Sequence, residues 1–244
     1  GEEPHQGEYY ALLLLATLGM IVVSSSLDLI SLFVGLELAS LSTYALVAFR
    51  KKEAKGSEAA MKFFIIGAFS SAILLYGISL VYGATGSTNL NVISQLGYGL
   101  GYGIYPGTPL MLLAAIFLIA GFGFKVAAVP FHMWLPDTYE GAPTTITAFL
   151  ASASKKMGFA ALFRIFLIGL VVLRADWSLL FALLSLVTMT AGNVIATSQR
   201  SVKRMLAYSS IAQAGYIMIP LAIFSQLALA GGLTQYHFSP GSVH

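Results

Sequence analysis

Apolar residues in this chain come in long blocks and lack the spacing of two or 3.6 positions that a half-buried strand or a surface helix shows. Seven blocks can be marked by their polar flanks, at about 8–25, 28–49, 58–84, 108–139, 144–173, 177–198 and 202–226. Most match the roughly 20 residues with which a helix crosses a bilayer. The pattern predicts an all-α fold, a polytopic transmembrane helix bundle of about seven helices, forming one unit over 1–226 with a tail at 227–244. The fourth block is too long for a single straight span and contains Pro130 and Pro136. It reads as a helix from Pro109 to about Val129, a break at Pro130 and a short second piece. Such a break needs protein or water around its freed backbone groups.

The polar segments between blocks set the orientation. Lys and Arg near helix ends stay on the cytoplasmic side. Arg50, Lys51, Lys52 and Lys55 fall in one set of alternate loops together with Arg200, Lys203 and Arg204, while the other set holds only Arg174. The N-terminus is therefore expected on the cytoplasmic side. The longest connection, roughly 85–107, is uncharged, rich in Gly and Tyr, and suits an interface. The opening GEEPHQGEYY is acidic where a secretory signal is basic, so no signal peptide is read there.

Composition narrows the function classes. Charged residues make up 9% of the chain and hydrophobic ones 57%, with a mean hydropathy of +0.83, so a water-soluble domain is excluded. The net charge of +3 sits in short loops and forms no extended basic face, which argues against nucleic acid as a partner. Without cysteine there is no thiol catalysis and no Cys-ligated zinc or iron–sulfur cluster on this chain. His5, His132, His237 and His244 lack ligand-pair spacing, so neither metal nor haem is expected.

Candidate chemistry lies in charges that interrupt the apolar blocks. Glu37 stands roughly 13 Å along the second helix at 1.5 Å per residue, too deep to reach water. Lys125 follows fifteen apolar or glycine residues and precedes Pro130 by five. An amine held out of water next to a helix break can be neutral or charged in response to its neighbours, as a proton relay requires. Lys62 admits two readings, a snorkelling partner of Glu58 four residues earlier or a counter-charge to Glu37. His132 can extend a relay past the break or sit at the interface beside Trp134. Lys155 and Lys156 fall in mid-helix and point about 100° apart, so only one can line the interior. Arg164, further along, snorkels or pairs, and Asp137 and Glu140 are expected to cap helix ends.

The strings VGLELASLSTYALVAF, GFGFKVAAVPFHMWLPDTYEGAPTTITAFLASASKK and SVKRMLAYSSIAQAGY resemble the antiporter-like membrane subunits of respiratory complex I and its relatives. PDTYEGAP and ASASKK look most like subunit N of NADH-quinone oxidoreductase, chain 2 of organelles. The resemblance implies that the seven segments are the family's fourth to tenth helices and the core of the first of its two inverted repeats. It implies a proton-transfer row of Glu37, Lys62 paired with that glutamate, Lys125 on the broken helix, His132, and Lys155, which connects to the central axis. Family members are about twice this length, and the final YHFSPGSVH does not look like their continuation.

The function so implied is proton translocation in the membrane arm of a complex I-like quinone oxidoreductase. There would be no cofactor on this chain, with quinone and iron–sulfur or flavin centres on partner subunits. Partners would be the lipid bilayer, other membrane-arm subunits and protons. The expected location is a prokaryotic cell membrane, or an organellar inner or thylakoid membrane. A cation/proton antiporter subunit, a membrane-bound hydrogenase subunit and a packing scaffold are the rival readings.

Overall fold

The computed structural model describes residues 5–50, 53–99 and 108–230, and among them every regular element is helical. Helices α1 (Gln6–Ser25) and α2 (Leu29–Val47) form a hairpin, followed by the long α3 (Ala54–Thr85). Next come α4 (Leu90–Gly99), α5 (Thr108–Val126) and the short α6 (Trp134–Gly141). A continuous helical run over 144–169 comprises α7 (Thr144–Phe149), a π turn at Leu150–Ser154, α8 (Lys155–Arg164) and a second π turn at Ile165–Gly169. The hairpin of α9 (Arg174–Thr197) and α10 (Val202–Ala230) completes the described chain. Among the described residues six helices are individually long and apolar enough to cross a membrane, and the run over 144–169, divided by its π turns, falls on the remaining expected block, 144–173.

Local chemistry sets the boundaries. Asp28 caps α2, accepting hydrogen bonds from the backbone N–H groups of Ile30 and Ser31 at 3.0 Å, and it also takes one from the Thr88 hydroxyl. Burial works against the ionised Asp28 carboxyl, but the bonds from Thr88, Ser31 and Ile30 hold it below the usual carboxylate range. Asn89 caps α4 in the same manner through Asn91 and Val92. This corrects the expected connection over 85–107: its first half is helical, because Asn89 supplies a cap that lack of charge and abundance of glycine had obscured. The remainder, 100–107, lies outside the described residues, as do Lys51, Lys52 and the tail from 231.

The helix break also differs from expectation. α5 stops at Val126, three residues before Val129, and stops by its own cap. Ala127 takes a left-handed conformation (φ 57°), its N–H donates to Phe124 O at 3.0 Å, and Ala128 N–H donates to Gly123 O at 2.8 Å. That pair of bonds is the Schellman arrangement, normally built around glycine. Pro130 follows an already closed helix end.

Two apolar cores result. One joins α2, α3, α5, α8, the second π turn and α9 through Leu36, Leu74, Phe122, Leu162, Phe166, Trp177 and Phe181. The other lies under the break, where Phe63 stacks on Trp134 with centroids 4.4 Å apart and Tyr44, Phe124, Tyr139 and Ile211 pack around them. Outward-facing apolar side chains such as Phe69, 70% exposed, suit contact with lipid tails. Within the α1/α2 hairpin a β-carbon on Gly19 would lie 2.6 Å from the Gly35 carbonyl oxygen, so glycine allows this close approach.

Candidate functional site

Lys125 sits at the seam between the two cores, since Phe122 and Val126 belong to one and Phe124 to the other. It is the penultimate residue of α5, is 8% exposed, and its stem lies against α8 where Gly158 leaves room. On α2, Glu37 and Ser40 are three residues apart and share a face. Both turn towards Lys125. The Lys125 Nζ donates to Ser40 Oγ at 2.7 Å and stands 3.6 Å from Glu37 Oε1. Ser40 passes its own proton to Leu36 O at 2.6 Å, so its lone pairs are free to accept. Ser71 of α3 donates to Glu37 Oε1 at 2.5 Å. Each charge thus has an opposite charge and a hydroxyl beside it, the condition under which an ion pair survives away from water.

A cavity of about 10 Å³, lined by Ser40, Tyr44, Lys125, Trp134 and Ser154 among others, lies next to the ammonium and matches the space of one water. Ser154 leads directly into α8. Its neighbour Lys155 is 6% exposed and donates through Nζ to both the hydroxyl and the carbonyl oxygen of Ser210 on α10, at 2.8 Å each. Lys156 turns outward and is exposed, so the two lysines separate as their helical spacing requires. His132, just beyond the break, is buried among the helices, with its ring 6.3 Å from that of Tyr208. Arg164 donates to the carbonyl of Ser26 at 2.8 Å, tying α8 to the end of α1.

The structure corrects the pairing of Lys62 with Glu37. Lys62 is 46% exposed in its side chain and binds Glu58 at 2.8 Å and Asp137 at 2.9 Å. The group on α3 that reaches Glu37 is Ser71, nine residues further on, which is about 13 Å along the helix axis and beyond the reach of a lysine. Lys62 belongs instead to a charged cluster at the end of the bundle where the basic loops meet. There Arg204 reaches Asp137 at 2.7 Å and Glu140 at 3.1 Å, so both carboxylates make ion pairs and do not cap helices. Lys203 bonds the carbonyls of Glu140 and Ala142 nearby. Glu58, Lys62, Asp137, Glu140 and Arg204 line a cavity of about 180 Å³ between α3, α6 and α10. Burial pushes the Asp137 carboxyl up, but the bonds and charges of Lys62 and Arg204 outweigh it and hold the group below its ordinary range.

Ser40, Ser71 and Ser210 were not foreseen, although each gives a buried charge a hydroxyl partner. Only Ser40 left a trace in the sequence, three residues after Glu37.

A sequence model of the family described as NADH:quinone oxidoreductase/Mrp antiporter, transmembrane, matches residues 26–239. The F420H2 dehydrogenase subunit N of Methanosarcina mazei is 54% identical over 229 residues, covering 94% of this chain and 45% of its own length. The NADH-quinone oxidoreductase subunit N of Moorella thermoacetica is 51% identical, with 96% of this chain and 48% of the relative covered. The chain spans about half the length of the curated relatives it matches. Among solved structures, respiratory complex I from Thermus thermophilus aligns with a TM-score of 0.76 and 40% identity, over 90% of this chain and 46% of the other. The Mrp complex from Dietzia aligns with a TM-score of 0.79 at 24% identity, over 91% of this chain and 40% of the other, a likeness of fold. With a helical membrane bundle, charges buried at its centre and a family match over most of its length, the chain belongs to the NADH:quinone oxidoreductase/Mrp antiporter transmembrane family.

Proposed function

We propose that this chain moves protons within the membrane arm of a complex I-like quinone oxidoreductase, with Glu37, Lys125 and Lys155 as the groups that hold them. The observation that carries the reading is the buried Glu37–Lys125 pair, 3.6 Å apart. At about that separation two unit charges interact by about 4 kcal/mol at an effective dielectric near 20. The charge on Glu37 therefore governs how firmly Lys125 keeps its proton, and a proton released from Lys125 has a water-sized cavity that reaches Ser154, the residue before Lys155. Lys62 acts from the charged cluster with Asp137 and Arg204, shaping the potential at the mouth of the bundle, and His132 lies between that end and the core. Redox energy would be supplied by partner subunits that hold the quinone and the flavin or iron–sulfur centres, this chain holding none. The relatives named F420H2 dehydrogenase subunit N and NADH-quinone oxidoreductase subunit N support this choice of partners.

The membrane would be a prokaryotic cell membrane, with the N-terminus and the Lys62–Asp137–Arg204 cluster on the cytoplasmic side, as the gathering of the basic loops at one end supports. The test is Lys125→Ala and Glu37→Gln in the assembled complex, with electron transfer and proton pumping scored separately. Both variants are expected to assemble and to lose pumping; normal pumping in both overturns the proposal. Sodium-driven proton exchange in vesicles lacking the redox partners would favour the antiporter reading instead.

A further inference from the structure

Glu58, Lys62, Ile66, Phe69 and Ile73 follow one another on α3 at helical spacing and form a single stripe along one face. Glu58 and Lys62 line the charged cavity. Ile66, Phe69 and Ile73 line a second, apolar cavity of about 220 Å³, closed on its other side by Phe131 and Met133. The far wall changes character at the same level: Asp137 borders the charged cavity and Met133, four residues earlier, the apolar one. Phe69 is 70% and Met133 68% exposed, so the apolar part opens outward from the bundle. Its one hydroxyl, Ser70, is turned inward and donates to Gly121 O at 2.9 Å. From Glu58 to Ile73 the stripe runs about 22 Å along the helix axis. One leaflet with its headgroups is about as thick, half of the 40–45 Å of a bilayer.

The charged end is balanced, with Lys55, Lys62 and Arg204 facing Glu58, Asp137 and Glu140. Its binding capacity is not used up. Lys55 is exposed and makes no ion pair among the described residues. Arg204 spends the same guanidinium nitrogen on both Asp137 and Glu140, which leaves further N–H groups for an acceptor. Glu58 and Glu140 each use one carboxylate oxygen in their ion pairs and keep the other. We propose that this two-part groove binds one phospholipid with a phosphoethanolamine headgroup. The phosphate sits at Lys55 and Arg204, the ammonium at Glu58 and Glu140, and one acyl chain lies along Ile66, Phe69 and Ile73. A headgroup with a net negative charge would unbalance the cavity. Choline has no N–H to give to the carboxylates. A transmembrane helix of another subunit fits the apolar part poorly, because helices in membranes meet on small residues and this wall is built of Ile, Phe and Met.

The proposal does not depend on the proton-transfer reading. Its test uses the complete complex in its own membranes, given phospholipids that carry a photoreactive acyl chain and an ethanolamine, choline or glycerol headgroup. Cross-linked peptides are then mapped. The ethanolamine probe is expected to label 66–73 and 130–133 about tenfold more than the choline probe, the weight of a charge-assisted hydrogen bond that choline cannot make. Lys55→Glu should lower that labelling by about tenfold for the same reason, with the melting temperature unchanged. Equal labelling by all three headgroups overturns the site, since it then holds boundary lipid only. Stronger labelling by the glycerol probe overturns the choice of headgroup, and unchanged labelling in Lys55→Glu overturns the placing of the phosphate. A photoreactive residue put in place of Phe69 should capture lipid; capture of another protein chain instead shows that the groove is a subunit contact and ends the proposal.

Discussion

The Tyr44 hydroxyl occupies the space that a β-carbon on Gly67 would fill. Glycine on α3 therefore fixes where the phenol of α2 rests, and with it one wall of the cavity beside Lys125. Gly67→Ala should expel the ring and lower stability by about 1–3 kcal/mol, the usual cost of overpacking a filled core. Tyr44→Phe in the same background should recover part of that loss, as thermal unfolding of the four combinations in detergent would show.

Glu37→Gln should destabilise more than the removal of both charges. The single substitution leaves the Lys125 ammonium with Ser40 but no ionised side chain opposite it, and stranding one member of a buried pair costs about 3–5 kcal/mol. Glu37→Gln combined with Lys125→Met should melt closer to the parent than Glu37→Gln alone. A double variant at least as unstable as the single one would show that the pair does not bear on stability.

Asp137 gives a pH dependence of known sign. Its folded carboxyl is held below the ordinary value of 3.8. The stability it contributes is therefore complete above that value and is lost as pH falls through the depressed folded value. The melting-temperature gap between the parent and Asp137→Asn should be flat near neutrality and close only below about pH 4. High salt should narrow it at every pH, because the partners Lys62 and Arg204 are partly exposed.

Ala127 holds a conformation that L side chains adopt at a cost of about 1–2 kcal/mol. Ala127→Gly should relieve it, offset by the greater freedom of glycine in the unfolded chain, for a net gain of up to about 1 kcal/mol. A rise in melting temperature without loss of assembly checks this.

Glu37 and Lys125 were legible because an ionisable residue in an apolar block has no ordinary explanation. Their hydroxyl partners were not. Serines are tolerated all along membrane helices, and many here simply bond their own backbone, as Ser42 does to Leu38 O. Lys62 was misplaced for a related reason: position along the chain gives its depth, while its pairing depends on how far α3 is shifted and rotated against α2, which long-range packing decides. The membrane bundle and its break were visible from block length and from Pro130. The cap at Ala127 was hidden, because alanine is a poor signal for a left-handed turn.

That cap has an electrostatic consequence for the lysine two residues before it. By closing α5 at Val126, it places Lys125 at a helix C-terminus in the interior of the bundle, where the aligned peptide groups present about half a negative charge. An uninterrupted helix would give the ammonium no such field at that depth. The broken backbone thus serves as a second, permanent counter-ion, one that cannot be protonated, so Lys125 retains part of its electrostatic support even when Glu37 is neutral.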